Sequence, residues 1–108
     1  MNNSTPRALH IHPNDNIAVC TTPVRTGDSV KILEPDQTSY FVESLSDIAF
    51  CNKIALSDIE ASGQIVKYGQ VIGTAIKPIR KGSLVNHENI ASQPRSYDEE
   101  YLIKEVRA

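Results

Sequence analysis

Ile48-Ala49-Phe50-Cys51-Asn52-Lys53-Ile54-Ala55-Leu56-Ser57-Asp58-Ile59-Glu60-Ala61-Ser62-Gly63-Gln64-Ile65 holds four isoleucines, spaced six, five and six residues apart. An amphipathic helix repeats its apolar residues every three or four positions, and a half-buried strand every two. A spacing of six fits neither as one continuous element. It fits two short strands on either side of a turn, and a turn former lies inside each pair: Asn52 in the first, Gly63 in the second. The same pair recurs as Val24 and Val30 around Gly27, and as Ile79 and Val85 around Gly82. Two copies extend five residues further, from Ile54 to Ile59 and from Val85 to Ile90, with Asp58 or Asn89 just before. Ile48 and Ile79 are offset by 31 residues. Chance among common aliphatics is the competing explanation. Four matches, each with a turn former, favour a repeated strand–turn–strand unit.

Outward from this stretch the chain keeps the same character. Ala8 to His12 alternates, which places Leu9 and Ile11 on one strand face and His10 and His12 on the other. Pro13 to Asn16 is a turn by composition. Ile17 to Cys20 reads as a short buried strand, Ser29 to Leu33 as an alternating one, and Tyr40-Phe41-Val42 as a third. A single helical turn is expected around Ala55 to Ile59. The fold class is mostly β with short helical segments. Residues 1–7 read as a flexible N-terminus, 8–91 as the domain, and 92–108 as a tail or partner-docking segment. In that tail Gln93-Pro94-Arg95 breaks the β pattern, and Asp98-Glu99-Glu100 precedes Lys104 and Arg107 in the order a helix dipole favours.

The 108 residues are one domain's worth of chain, with 40% hydrophobic and 22% charged residues. A net charge of −2 argues against a nucleic-acid module, which carries a basic face. No apolar run approaches the ~20 residues that span a bilayer. Met1 to Pro6 is polar and reads as lacking an export signal, which predicts a cytoplasmic, reducing location with Cys20 and Cys51 as buried thiols.

Few residues offer chemistry. His10 and His12 on one strand face stand about 7 Å apart, but a metal site needs a third ligand. His87 is the only other histidine, so no metal site is expected in this chain. His12-Pro13 leads into Asp15-Asn16, and an imidazole beside a carboxylate and an amide suits a polyhydroxylated substrate. A surface histidine capping a turn is the plainer alternative. Lys67-Tyr68-Gly69-Gln70 interrupts an Ile/Val run, and Gly69 permits a tight bend or a close backbone approach. Lys67 and Tyr68 then present a cation and a phenol to a carboxylate; the alternative is a hairpin with Tyr68 packed against it. Lys77, Arg80 and Lys81 form a small basic cluster that suits an anion or a solvated turn. There is no P-loop, dinucleotide fingerprint, HExxH or nucleophile elbow, and so no self-contained active site.

These segments together resemble the small N-terminal domain of the altronate and galactarate dehydratase family, a SAF-type domain of β-clip fold. Ile11 to Val19 resembles the family's opening His-x-x-Asp-Asn-Val-Ala. Asn52-Lys53-Ile54-Ala55-Leu56-Ser57-Asp58-Ile59 resembles His-Lys-[Ile/Val]-Ala-Leu-x-Asp-Ile. Ile65 to Gly73 resembles a stretch with Lys-Tyr-Gly-x-x-Ile-Gly, and Ile79 to Ile90 the closing Ile-x-x-Gly-x-x-Val-His-x-His-Asn. Asn52, Asn86 and Glu88 stand where the family has histidines, and of the usual set His12 remains. The resemblance implies part of a hydro-lyase that removes water from a sugar acid such as altronate or galactarate, with a sulfo-acid lyase as a variant. Such an elimination needs a base for the α proton and stabilisation of an enediolate, usually by a metal. It implies a large dehydratase subunit or domain as partner, holding a divalent metal such as iron, and no cofactor on this chain. It implies a sugar-acid substrate met by His12, Asp15, Asn16, Lys53, Lys67 and Tyr68. It implies no nucleic-acid or membrane partner, and it allows a homo-oligomer. A non-catalytic SAF binding or assembly module, or a degenerate fragment, is the alternative.

Overall fold

The computed structural model describes residues 5–92. The strands are β1 (Arg7–Leu9), β2 (Ile17–Cys20), β3 (Ser29–Leu33), β4 (Ser39–Glu43), β5 (Lys53–Ala55), β6 (Gln64–Lys67), β7 (Gln70–Ala75), β8 (Leu84–Val85) and β9 (Ile90–Ser92). They form a six-stranded sheet in the order β4-β3-β1-β2-β5-β8 and a three-stranded sheet in the order β6-β7-β9. All pairings are antiparallel except β1 against β3. The mostly β expectation therefore holds.

All eight aliphatics of the six-residue pairs are buried, and they divide between two cores. Val24, Val30, Ile48 and Ile54 join Ala8, Ala18, Cys20, Ile32 and Val42 in one. Ile59, Ile65, Ile79 and Val85 join Ile17, Ala55 and Ala75 in the other. β2 and β5 feed both, because successive strand residues point to opposite faces: Ile17 and Ala55 to one core, Ala18 and Ile54 to the other.

The four copies share one backbone device. In each, the residue four after the first aliphatic donates its N–H to the carbonyl one after it: Asp28 to Arg25, Asn52 to Ala49, Gly63 to Glu60 and Ser83 to Arg80. The residue at the third position has positive φ in every copy: Gly27 (93°), Cys51 (76°), Ser62 (72°) and Gly82 (92°). That is the pattern of a type II turn. The first aliphatics pair across copies, Val24 with Ile48 and Ile59 with Ile79. The aspartate before the isoleucine closes the opposite turn in both cases: Asp47 accepts from the Thr26 N–H at 2.9 Å and Asp58 from the Lys81 N–H at 2.8 Å.

Four expectations are corrected. No helix occurs among the described residues, and so none long and apolar enough to cross a membrane. The expected turn at Ala55 to Ile59 is absent because its amides are spent elsewhere, Ala55 on the Ser83 carbonyl, Leu56 on Asn16 and Ile59 on Ile79. Cys51 is exposed, since the third position of its turn faces solvent, whereas Cys20 is buried and burial pushes its thiol up to about 11. The alternating strand expected over Ala8 to His12 stops at Leu9, so His10 and His12 do not share a strand face, and His10 is buried while Leu9 and Ile11 are exposed. Arg7, placed in the flexible N-terminus, already sits in the ladder, its carbonyl accepting from Thr21. The expected docking helix in residues 93–108 lies outside the described residues.

Candidate functional site

The turn between β1 and β2 is fastened to the β6–β7 hairpin by two adjacent side chains. Asp15 is 6% exposed. One of its carboxylate oxygens, Oδ1, accepts from the Gly69 N–H at 2.7 Å. The other, Oδ2, accepts from the Tyr68 N–H at 3.0 Å and the His12 N–H at 3.2 Å. Asn16 extends the clasp along the free edge of β6: its Nδ2 donates to the Gln64 carbonyl and its Oδ1 accepts from the Val66 N–H, both at 2.9 Å. The register of β6 shifts between Ile65 and Val66, where Asn16 seals the strand edge.

Tyr68 and Gly69 both have positive φ, 56° and 73°, the pattern of a two-residue type I′ hairpin loop closed by Lys67 opposite Gln70. Asparagine is the usual first residue of such a loop; a tyrosine there is held by the Asp15 carboxylate on its amide. The His12 ring lies on Gly69, so close that a Cβ there would stand 2.8 Å from Nε2. His12 Nδ1 accepts from the Asn14 N–H at 3.0 Å, which leaves the ring proton on Nε2. The Tyr68 side chain is exposed, with the Lys67 ammonium 4.9 Å from its ring centroid. Lys53, on β5, lies within the field of Lys67: burial first, and then the Lys67 charge, pull its ammonium below the usual lysine range. Among the described residues neither ammonium has a carboxylate within salt-bridge reach.

The structure thus gathers His12, Lys67 and Tyr68 on one rim with Lys53 close by. It commits the Asp15 and Asn16 side chains to backbone groups beneath that rim. An imidazole N–H, a phenol and two uncompensated ammonium groups are donors suited to an anion that also bears hydroxyls. Among the described residues no three His, Cys, Asp or Glu side chains gather where they would hold a metal ion. His87 is exposed. The basic cluster does not join it either. Lys77 and Arg80 line a separate open cleft of about 350 Å³ with Asn86, Glu88 and Asn89, so a carboxylate shares that cleft with the cations.

One contact near the rim escapes a reading of the sequence. His10 turns inward, its Nδ1 2.7 Å from Glu34 Oε1 and its Nε2 2.8 Å from the Asp15 carbonyl oxygen. Glu34 lies 24 residues away, and no local pattern joins the two.

A family model of the altronate/galactarate dehydratase SAF domain matches residues 6–93. The L-threo-forming galactarate dehydratase of Escherichia coli K12 is 34% identical over 88 residues, covering 80% of this chain and 16% of that protein. The altronate dehydratase of the same strain is 32% identical over 91 residues, covering 84% of this chain and 17% of that protein. The chain spans about one sixth of the length of these two relatives.

Proposed function

We propose a role from one premise: the chain belongs to the altronate/galactarate dehydratase SAF-domain family. In this role it forms one wall of the substrate site of a sugar-acid hydro-lyase, while a large subunit or domain carries out the elimination. The observation that carries the reading is the Asp15 clasp, which ties the His12 turn to the Lys67-Tyr68-Gly69 hairpin and presents their donors together. The substrate class is a sugar acid such as altronate or galactarate. Lys67 and Lys53 meet its carboxylate, and the His12 Nε2–H and the Tyr68 phenol meet its hydroxyls. Asp15 and Asn16 serve by position, holding the rim without touching substrate. The α-proton base and a divalent metal such as iron belong to the large partner in this reading, as does a cytoplasmic site of action. The wall's contribution is binding and orientation, which fix the carboxylate so that the C–H and C–O bonds to be broken stay aligned.

The test compares three samples: the chain alone, the large dehydratase chain of the same organism alone, and the two mixed with iron. Turnover of galactarate or altronate is expected only in the mixture. Turnover by the isolated chain, or equal turnover by the large chain without it, would overturn the reading.

A further inference from the structure

We propose that His10 is a positioning residue that works as an imidazolium, its two ring N–H groups tying Glu34 to the Asp15 carbonyl and so holding the Asp15 clasp on the Tyr68–Gly69 hairpin. His10 is 8% exposed, so its ring nitrogens must find partners within the protein. Both groups opposite them are acceptors. A backbone carbonyl has no proton to give, and an ionised Glu34 has none either. A neutral imidazole has one N–H and one lone pair, so either tautomer leaves a lone pair pressed against an oxygen. Only the doubly protonated ring satisfies both contacts.

The titratable groups that act on the ring are Glu34 from the β3–β4 hairpin and Asp15 from the adjoining turn, and Tyr40 meets Glu34 in turn. Burial alone would drive the proton off, but the Glu34 hydrogen bond, the Asp15 carbonyl and the charges of both carboxylates outweigh it and raise the imidazole above its ordinary value. Asp15 is bound at both ends, its carbonyl by His10 and its carboxylate by Tyr68, Gly69 and His12. A neutral ring keeps one N–H, and the stronger charge-assisted contact to Glu34 retains it, so loss of the proton frees the carbonyl side of Asp15, the residue that fastens the rim. The lock is a property of this chain and holds whether or not the rim meets a sugar acid.

The experiment follows the His10 ring and the Tyr68 and Gly69 amides by NMR in the full chain, from roughly pH 5.5 to roughly pH 9. The expected result is a common midpoint for ring and amides above 6.5, with the two amides exchanging about tenfold faster, beyond the intrinsic pH effect, once His10 is neutral. The His12→Gln variant, which removes the other nearby imidazole, should keep that midpoint. Glu34→Gln should lower it, and His10→Lys, which has no imidazole to titrate, should abolish the transition at that midpoint. The wild-type titration decides even if a variant fails to fold. A His10 midpoint at or below 6.5, amides that ignore the His10 titration, or a transition that survives His10→Lys would each overturn the proposal.

Discussion

Gly69 is constrained twice, by its left-handed backbone and by the His12 ring on its face. Gly69→Ala should cost about 1–2 kcal/mol, because an L residue resists positive φ and the new methyl must displace the imidazole. Urea denaturation measures the loss, and the His12 ring resonances should move with it. Asp15→Ala leaves three buried or half-buried N–H groups without their acceptor, so about 2–4 kcal/mol is expected in the same assay. His10 adds a pH dependence whose sign follows from its raised proton affinity. The folded chain holds this proton more tightly than the unfolded one, so its contribution is complete below about pH 6.5 and declines as pH rises through the folded value. Stability should therefore fall on the alkaline side, and His10→Lys should flatten that limb. Little of this was legible beforehand. The alternation puts Leu9 and Ile11 on one face and His10 on the other, and the buried place goes to His10 because Glu34 and Asp15 meet both its nitrogens.

At the scale of elements, the repeated unit makes equivalent glycines comparable. Gly27 and Gly82 hold the same turn position with nearly the same φ, 93° and 92°. A Cβ on Gly27 would meet nothing within 4 Å, whereas one on Gly82 would overlap the Glu43 carbonyl oxygen. Gly27→Ala should thus cost only the backbone strain, about 1 kcal/mol, while Gly82→Ala should cost several times that or prevent folding. Thermal unfolding of the two variants side by side checks the difference, and equal losses would contradict the account. The six-residue spacing was readable because it records burial, and all eight of its aliphatics are buried. The turn position was readable only in part. Glycine marks it in two copies, but in the others the left-handed residues are Cys51 and Ser62, one place before the Asn52 and Gly63 that composition suggests. The hydrogen-bonded turn sets the conformation there, and local propensity yields to it. Likewise Ala55, Leu56 and Ile59 imitate a helical face, but their amides serve Ser83, Asn16 and Ile79.

For the whole molecule, the two cores meet along β2 and β5, and the Asp15–Asn16 clasp joins the six-stranded sheet to the β6–β7 hairpin. Of the proposed site residues, the spacing of the sequence separates His12 from Lys67 by 55 positions, and only the clasp explains why one rim holds both. Asp15 and Asn16 were legible as polar turn residues; that their side chains hold another hairpin was not. The central claim is that this rim is a wall of a sugar-acid site completed by a large partner. Its most direct test is steady-state kinetics of the reconstituted pair with His12→Ala and Lys67→Ala. Each variant removes a hydrogen bond involving substrate, and one to a charged group is worth about 1.5–3 kcal/mol, so kcat/KM should fall roughly ten- to a hundredfold while the pair still assembles. Wild-type kcat and KM in both variants would contradict the claim and leave the two segments as shapers of turns.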